Sequence, residues 1–467
     1  MAGGETASDS FYLTILDAEG WVWEQSWFLG RQAGTSREEA GFKVSRFQGF
    51  KVSKLLRPIR PKNRASPHCR NLEACNFESC TTILFIFMKA KPHIAVVGAG
   101  AFGGWTALHL LERGARVMLV DAWGPGNSRA SSGGETRVMR GTYGPDQPYT
   151  EMAAQAIKFW VKYERRWKRQ FLHRTGVLWM ASGRDDAFER GSVKMLRAAK
   201  IKYQELTAPQ MKKRWPQINF EGIEWGIFEP ECGYLEARDS CQAVVEAFVA
   251  AGGSYWQAAA LGDGLDEGPL KKGLALSDGS RLKADSYVFA CGPWLGKLFP
   301  QTIGDRIVAT KQDIFFFGAP AGDSRFTDGH MPVWADHRGR FRYGIPGNDR
   351  RGFKIADDTR GPAFDPSNGE RVVSPETLKD IREYIAFRFP ALKDAPLVET
   401  RVCQYEQTRD AGFIVDRHPS NENVWLLGGG SGHGFKHGPA VGEMMADLIL
   451  KDREPGAIWK LDRFNTE

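Results

Sequence analysis

A short apolar strand that runs straight into a glycine-rich turn constrains the fold of this 467-residue chain more than any other feature. The strand is His-Ile-Ala-Val-Val at 93–97, and the turn Gly-Ala-Gly-Ala-Phe-Gly at 98–103 opens an apolar helical segment. A second strand follows at 116–120 and ends at Asp121. This order of strand, turn, helix and strand predicts a βαβ unit that binds a dinucleotide.

The glycines of the turn have separate roles. Gly98 permits the tight turn, Gly100 lets the backbone approach a pyrophosphate, and Gly103 allows helix and strand to pack closely. Asp121 lies 23 positions after Gly98, where an acceptor for a ribose hydroxyl belongs. The predicted cofactor contacts of this unit are Gly98, Gly100, Ala101, Phe102, Gly103 and Asp121. The pattern alone does not distinguish NAD from FAD.

Strands and helices alternate again towards the C-terminus. Buried strands are predicted at 286–290 and 424–427, and a final helix at 439–450. This alternation predicts mainly parallel sheet at both ends of the chain. The segments 160–228 and 307–397 are richer in tryptophan, phenylalanine, arginine and turn residues, and we expect them to form a separate α+β domain.

The first 87 residues show no sustained period. Met88 stands just before the first convincing strand, so we interpret residues 1–87 as an N-terminal extension that is disordered or absent from the native protein. Nine lysines and arginines, with no acidic residue, lie between Gly41 and Leu72, whereas acids and bases nearly balance elsewhere. We interpret this segment as a solvated basic linker and expect no nucleic-acid partner.

The composition, with 42% apolar residues, is that of a globular protein. The longest strongly apolar stretch, at 83–88, is far shorter than the ~20 residues that a membrane-spanning helix needs, and no signal peptide is recognised. We therefore expect a cytoplasmic protein without a membrane partner. The seven cysteines lack zinc spacing, so we predict free thiols and no metal site.

Further motifs extend the pattern beyond the first βαβ unit. Residues 131–140 read Ser-Ser-Gly-Gly-Glu-Thr-Arg-Val-Met-Arg, and residues 343–346 read Tyr-Gly-Ile-Pro with Lys354 eleven positions after the tyrosine. Cys403 follows, and residues 432–436 read Gly-His-Gly-Phe-Lys. In order and spacing these motifs resemble the D-amino-acid oxidase superfamily, in particular its monomeric sarcosine oxidase and N-methyltryptophan oxidase branch. The resemblance covers the chain after residue 87 and implies FAD as the cofactor.

The resemblance also implies an α/β fold with two domains. One is a glutathione-reductase-like FAD-binding domain with a Rossmann-type βαβ unit, discontinuous over 88–165, 230–305 and 400–467. The other is an α+β substrate domain with an antiparallel sheet, at 166–229 and 306–399. The flavin ring is expected between the two domains.

Cationic residues are needed beside the ring. Oxidation of an amine passes a hydride from the carbon beside nitrogen to the flavin and leaves an anionic reduced ring. Lys436 ends a glycine-rich loop just before a helix and can supply positive charge together with the helix N-terminus. Arg137 and Arg140 are three positions apart, so on a helical turn they share one face and suit an anion. The resemblance assigns Arg140 and Lys436 to the substrate carboxylate and Arg137 to the ring.

The remaining site residues are implied by the resemblance. Lys354 matches a lysine above the ring that helps dioxygen accept electrons, which favours an oxidase over a dehydrogenase, and Tyr343 lines the substrate cavity. Cys403 matches the cysteine that bonds the flavin covalently, although by itself it reads as a small buried hydrophobe. The further predicted cofactor contacts are Ser132, Thr136, Arg137, Cys403, Gly432, Gly434, Phe435 and Lys436.

Two positions depart from the branch. It has histidines where this chain has Gly133 and Asp358. We expect the loss of two imidazoles to enlarge and recharge the cavity. We also expect Asp358, if it lines the site, to attract a second cationic group on the substrate.

The sequence therefore predicts FAD-dependent oxidation of a secondary amine or N-alkyl amino acid to an imine that water hydrolyses, with dioxygen reoxidising the flavin to give hydrogen peroxide. Two alternatives stay open. One is an amino-acid or amine dehydrogenase with another electron acceptor, and the other is a flavoprotein without turnover that serves as an interaction module. We expect a monomer whose partners are the amine substrate and dioxygen, and the sequence does not name the amine.

Overall fold

The computed structural model describes residues 91–465 except 184, 269, 338, 349 and 350, together with the backbone of residues 10–16 and 22–28. The chain divides into two compact units, Met1–Lys91 and Pro92–Glu467. In the first unit, strands β1 (Ser10–Leu16) and β2 (Val22–Phe28) pair antiparallel. The basic segment lies outside the described residues, and the interpretation of residues 1–87 as an N-terminal extension stays a prediction.

A six-stranded sheet carries the predicted dinucleotide-binding unit. From edge to edge its strands are β11 (Ser254–Gln257), β4 (Arg116–Asp121), β3 (His93–Val97), β14 (Ser286–Phe289), β21 (Asn421–Gly428) and β20 (Ile414–His418). The first five strands run parallel, and β20 is antiparallel to β21. Because β3 lies in the middle with both faces covered, it is a continuous apolar run rather than an alternating one.

Helices cover this sheet. They are α1 (Ala101–Glu112), α2 (Gln147–Trp167), α5 (Ala237–Ala250) and α8 (Gly438–Leu450). Helix α1 packs against α5 and α8, and α2 packs against α8. Trp105 of α1 and Trp160 of α2 are both buried and meet edge to face. The predicted α/β fold with a Rossmann-type βαβ unit is confirmed.

An eight-stranded, mostly antiparallel sheet forms the second layer. Its strands in spatial order are β19 (Leu397–Gln407), β15 (Val308–Phe317), β18 (Phe353–Asp357), β17 (Arg342–Ile345), β16 (Val333–Asp336), β7 (Val177–Ala181), β9 (Trp225–Glu229) and β8 (Gln204–Thr207). Only β16 and β7 are parallel within this sheet. Helix α4 (Ala208–Arg214) packs against β8 and β9, and α7 (Pro375–Arg388) packs against β18. Helix α3 (Ala187–Ala198) shares a hydrophobic cluster with β7 and β9.

Short elements complete the described structure. A three-stranded sheet joins β5 (Thr136–Met139), β10 (Gly233–Glu236) and β6 (Leu172–His173), and β12 (Leu274–Ala275) pairs with β13 (Arg281–Leu282). A short helix α6 covers Leu295–Leu298. In the part of the chain that the structure describes, no helix is both long enough and apolar enough to cross a membrane.

Strand β19 crosses the domain boundary predicted at residue 400. It pairs with β15 of the eight-stranded sheet, with Cys403 opposite Gln312. The domain boundaries stay a prediction, and β19 links the segments on either side of this one.

A buried ion pair fixes α7 against the eight-stranded sheet. The carboxylate of Asp336 accepts hydrogen bonds from Arg388 Nε at 3.0 Å and Nη2 at 2.6 Å, and from the Tyr384 hydroxyl at 2.8 Å. Arg388 is wholly inaccessible to solvent. Removing either partner would leave a buried charge without its counterion, which is costly. The pair therefore holds the end of β16 in place.

The turn between β3 and α1 offers a matched test of close packing. A Cβ atom at Gly103 would lie 1.8 Å from the carbonyl oxygen of Gly98. A Cβ atom at Gly104 would have Val244 Cγ1 as its nearest neighbour, at 3.4 Å. We expect Gly103→Ala to lower the free energy of unfolding by about 1–3 kcal/mol through overpacking. The neighbouring Gly104→Ala should be neutral or slightly stabilising because alanine favours helix. Chemical denaturation measures both, and equal effects would contradict the assigned role of Gly103.

Candidate active site

The glycine-rich turn brings bare backbone to the end of the parallel strands. Gly98 has a φ of +106°, and a Cβ there would lie 2.3 Å from the Ala290 carbonyl oxygen. Only glycine fits this position. The N-terminus of α1 follows, so the positive end of the helix dipole faces the same space.

Asp121 lies at the end of β4 beside this turn. One carboxylate oxygen accepts the Ala99 N–H at 2.7 Å, and the other accepts the N–H groups of Trp123 and Gly124 at 2.9 and 2.7 Å. Burial raises the pKa of Asp121 above its ordinary value of 3.8. The predicted ribose acceptor therefore also holds the turn in shape.

A cavity of about 230 Å³ opens in front of the turn. Its lining includes predicted cofactor contacts from four separate segments, namely Gly98, Gly100, Ala101, Phe102, Asp121, Ser132, Arg137, Gly432, Gly434 and Phe435. Ser132 Oγ accepts the Ala101 N–H at 3.1 Å, while Ser131 Oγ is buried without a hydrogen-bond partner among the described residues. Backbone donors, an acidic acceptor and an unpaired hydroxyl in one cavity fit a dinucleotide. We call it the larger cavity.

A second cavity of about 60 Å³ adjoins the first. The two share Arg137, Tyr405, Gly432 and Phe435 in their linings. The other polar and aromatic residues around it are Arg140, Trp179, Trp334, Phe341, Tyr343, Asp358, Cys403, His433 and Lys436. The sequence motifs around residues 137, 343, 403 and 436 therefore converge on this space, which we call the smaller cavity.

Arg140 and Lys436 supply two cations to the smaller cavity. Arg140 donates to the Thr142 carbonyl oxygen, and its guanidinium lies 4.1 Å from the Tyr143 ring centre and 5.1 Å from that of Trp179. Lys436 Nζ donates to the Tyr143 hydroxyl at 2.9 Å and to the His433 carbonyl oxygen at 2.7 Å. Burial, and then the charge of Arg140, hold the pKa of Lys436 well below its ordinary range.

Arg137 on β5 and Lys354 on β18 belong to different sheets, and both contact Thr136. Arg137 donates to the carbonyl oxygens of Thr136 and Ser131, and its Nη2 is 3.5 Å from Cys403 Sγ. Lys354 Nζ donates to Thr136 O at 2.9 Å and Oγ1 at 3.3 Å. Burial and the charge of Arg137 lower the pKa of Lys354 to about 7. Thr136 thus holds Lys354, and neither residue lines the cavities described.

The expected helical turn carrying Arg137 and Arg140 is wrong. Thr136–Met139 is strand β5, paired with β10, and Arg140 follows its end. Extended backbone turns successive side chains to opposite faces, so the shared face is not set by a spacing of three. The two guanidinium groups nevertheless both reach the smaller cavity because the chain leaves the sheet at Arg140.

These four cations have a common feature. Arg137, Arg140, Lys354 and Lys436 are held by carbonyl oxygens, hydroxyls and aromatic rings, and none forms an ion pair with another described residue. Lys354 and Lys436 are buried, and Arg137 and Arg140 are half-buried. An anion bound beside them would favour the charged form of the two lysines, whose pKa burial lowers. The arrangement therefore favours binding of negatively charged groups in and beside both cavities.

Asp358 is the acidic residue of the smaller cavity. Its Oδ1 accepts the Tyr405 hydroxyl at 2.7 Å. Burial raises the pKa of Asp358 to about 6, against the opposing effects of Tyr405, Arg140 and Lys436. Gly133 behaves differently from the expectation, because it lines neither cavity and a Cβ there would lie 1.8 Å from the Asn127 carbonyl oxygen. Of the two departures, only Asp358 changes the cavity.

Two histidines support the lysine loop. His433 Nε2 lies 3.0 Å from the Ala411 carbonyl oxygen, and burial with the nearby Lys436 charge lowers the pKa of His433 to about 3. His437 Nε2 lies 2.7 Å from the Tyr143 hydroxyl. With its depressed pKa and its backbone contact, His433 serves as a structural residue of the loop.

Several site residues escaped the sequence analysis. Tyr405 lies two positions after Cys403 in β19, so the alternation of a strand could have placed it on the same face. Glu406 lines the larger cavity, and burial raises the pKa of its carboxyl to about 7. Trp123 and Trp294 line the larger cavity with their ring centres 4.9 Å apart, and no local sequence pattern predicted them as site residues.

Known proteins resemble this chain over most of its length. The model of the family described as FAD dependent oxidoreductase matches residues 93–448. The chain is 29% identical over 368 residues to a monomeric sarcosine oxidase of Bacillus sp. (strain B-0618), covering 78% of this chain and 93% of that protein. It is 27% identical over 388 residues to the peroxisomal sarcosine oxidase of Mus musculus, covering 79% and 96%. It is 25% identical over 375 residues to the N-methyl-L-tryptophan oxidase of Salmonella arizonae, covering 77% and 95%.

Solved structures share the fold. An L-proline dehydrogenase from P. horikoshii aligns with a TM-score of 0.70 at 19% identity, covering 80% of this chain and 98% of that one. A thermally stable mutant of fructosyl peptide oxidase aligns with a TM-score of 0.66 at 20% identity, covering 79% and 93%. At these identities the likeness concerns the fold alone.

The charge of Asp358 predicts a pH-dependent effect on stability. Its folded-state pKa of about 6 lies above its ordinary value of 3.8, so the folded protein binds the proton more tightly. Stability from this group therefore falls as the pH rises from about 4 to about 6. We expect Asp358→Asn to raise the free energy of unfolding by about 1–2 kcal/mol at pH 7.5 and by almost nothing at pH 4.

Asp365→Asn is the control with the opposite sign. The Lys297 ammonium and backbone N–H groups lower the pKa of Asp365 to about 2, so its carboxylate contributes stability above pH 4. Chemical denaturation at both pH values compares the variants. A loss of stability in Asp358→Asn at pH 7.5 would contradict the assigned cost of burying that charge.

Proposed function

The chain belongs to the family of FAD-dependent oxidoreductases, and we propose that it oxidises a secondary amine or an N-alkyl amino acid with dioxygen as the electron acceptor. It is an FAD-dependent enzyme that acts on the C–N bonds of amines. The proposal adds the substrate class and the acceptor. Its main support is the pair of cations, Arg140 and Lys436, in a cavity that adjoins the cofactor cavity.

The larger cavity is suited to FAD. The bare backbone at Gly98, the N–H groups at the start of α1 and the carboxylate of Asp121 meet the needs of a pyrophosphate and a ribose. When bound, FAD supplies a two-electron acceptor for the hydride on the carbon beside the amine nitrogen. Arg137 lines both cavities and, with Lys436, places positive charge where that acceptor becomes anionic.

Arg140 and Lys436 would bind the substrate carboxylate. The guanidinium of Arg140 is fixed between the Tyr143 and Trp179 rings, so little conformational freedom is lost when an anion binds. Trp160 Nε1 donates to the Lys436 carbonyl oxygen at 2.9 Å and keeps that residue in place at the start of α8. This anchoring would direct the substrate nitrogen towards the larger cavity, and Tyr343 would line the smaller cavity beside the substrate.

The overall reaction would consume dioxygen and water. Two electrons leave the substrate with one proton as a hydride, a second proton leaves the nitrogen, and the resulting imine is hydrolysed to an amine and a carbonyl compound. Dioxygen takes up the two electrons and two protons as hydrogen peroxide. The amine substrate and dioxygen are therefore the partners, and a monomeric state stays a prediction.

Turnover distinguishes this function from its alternatives. The purified holoprotein is given a panel of N-methyl amino acids while oxygen uptake and peroxide are measured. Peroxide formation that matches oxygen uptake would support the proposal. Reduction of an electron-accepting dye without oxygen uptake would favour a dehydrogenase, and a flavin whose absorbance no amine bleaches would favour a non-catalytic module.

Lys354 offers a test of the acceptor. Its charge is held by Thr136 rather than by a carboxylate, so it can stabilise negative charge that develops on oxygen. We expect Lys354→Met to slow oxygen consumption about 100-fold, the scale on which removal of one electrostatic donor acts. Anaerobic bleaching of the flavin by the same substrate should be retained. Lys354→Arg, which keeps the charge, is the control, and an unchanged oxygen rate in Lys354→Met would exclude this role.

Cys403 is proposed to hold the flavin covalently. Cys403 lines the smaller cavity, and its Sγ lies 3.5 Å from Arg137 Nη2. After acid precipitation we expect flavin to stay with the protein pellet and with the peptide that contains Cys403. Cys403→Ala should release the flavin, whereas Cys291→Ala, which removes a thiol of the larger cavity, should not. Release of intact flavin from the unmodified protein would make Cys403 structural.

A further inference from the structure

A carboxylate without a cationic partner lies in the smaller cavity. The backbone N–H of Asp358 donates to the Phe341 carbonyl oxygen at 2.8 Å, which fixes the residue directly after β18. Its Oδ1 accepts the Tyr405 hydroxyl at 2.7 Å. The other oxygen accepts no hydrogen bond from the residues that the structure describes. One face of this carboxylate is therefore free for a ligand.

The cations of the same cavity make their hydrogen bonds and ring contacts with residues other than Asp358. Arg140 contacts Thr142 and two aromatic rings, and Lys436 contacts Tyr143 and His433. Within the described part of the chain, neither Arg140 nor Lys436 forms an ion pair with Asp358, although all three residues line the same cavity. The lining of the smaller cavity thus contains both positive and negative charge that no described ion pair joins, although Arg140 and Lys436 oppose the rise in the pKa of Asp358.

A charge distribution of this kind selects a ligand with complementary charges. Enclosing a carboxylate without a counterion is unfavourable, as the raised pKa of Asp358 also indicates. At pH 7 and above the group is still mostly ionised, because its pKa is about 6. A cationic nitrogen beside the free oxygen would compensate this cost, while a second carboxylate there would increase it.

We propose that Asp358 binds the positively charged amine nitrogen of the substrate while Arg140 and Lys436 bind its carboxylate, so that the enzyme selects zwitterionic N-alkyl amino acids. This inference rests on the proposed function and narrows its substrate class. Asp358 then determines specificity for the charge of the nitrogen. Because the ammonium form predominates in solution, this recognition acts on binding of the ground state and is measured as an affinity.

Two ligands of the same shape isolate that charge. Trimethylammonioacetate and 3,3-dimethylbutanoate differ in a quaternary nitrogen against a carbon, and both carry one carboxylate. Each is titrated into the holoprotein, and the change in flavin absorbance gives its Kd. We expect the unmodified protein to bind trimethylammonioacetate about tenfold more tightly, the scale of one partly screened attraction between opposite charges. In Asp358→Asn the affinity for trimethylammonioacetate should fall about tenfold, and that for 3,3-dimethylbutanoate should stay or increase.

Arg140→Gln separates this inference from the proposed function. It should weaken both ligands to a similar extent, since both carry the carboxylate. Flavin content and circular dichroism show whether each variant is folded, and Tyr405→Phe, which keeps the carboxylate, provides a second variant that should retain the preference. Binding of both ligands with equal affinity to the unmodified protein would overturn the role of Asp358 but leave amine oxidation intact. Failure of both ligands to bind would overturn the carboxylate site as well.

A pair of substrates tests whether Asp358 recognises the reacting nitrogen or a cation farther along the substrate side chain. The pair N-methyl-L-lysine and N-methyl-L-norleucine differs in a terminal ammonium group, and kcat/KM is compared in the unmodified protein and in Asp358→Asn. We expect the substitution to lower kcat/KM similarly for both. A loss confined to N-methyl-L-lysine would place the selected charge on the side chain and overturn the assignment to the reacting nitrogen.

Discussion

The constraint on which the site depends is the enclosure of four cationic side chains without carboxylate partners. Arg137, Arg140, Lys354 and Lys436 are each held by carbonyl oxygens, hydroxyls or aromatic rings. Such contacts orient a cation but leave its charge unneutralised, so the protein pays a desolvation cost that an incoming anion offsets. An anionic cofactor ring, a substrate carboxylate and developing charge on oxygen are the anions that the proposed reaction brings. The architecture that encloses these residues is thus also what prepares them for chemistry.

Two sheets are needed to make this enclosure. The six-stranded parallel sheet presents its glycine-rich turn and the lysine loop at the ends of β3 and β21, while the eight-stranded sheet presents Lys354 and Asp358 at β18. Strand β19 carries Cys403 and Tyr405 into the lining of the smaller cavity and Glu406 into that of the larger one. Because neighbouring residues of one strand face different cavities, a shift of β19 by one residue would exchange the groups that face cofactor and substrate.

The dinucleotide half was predictable because its requirements are local. The backbone geometry of a single turn requires the glycines at 98, 100 and 103, and Asp121 follows at the end of the next strand. The substrate half was less accessible. The three-residue spacing of Arg137 and Arg140 suggested a helical turn, but pairing with β10 makes the segment a strand. Tyr143, Trp179 and Tyr405 come from different elements, and no local pattern connects them.

The sequence by itself determined the βαβ unit, the family resemblance and the identity of the cationic residues, because these depend on residue type and short spacing. Only the tertiary structure decided which charges meet. Asp358 and Gly133 both stand where the related branch has a histidine. In the structure, Asp358 lines the smaller cavity, whereas Gly133 packs against the backbone of Asn127. The physical reason is that the effect of a charge or a missing side chain depends on what surrounds it, and those neighbours come from strands far apart in the chain.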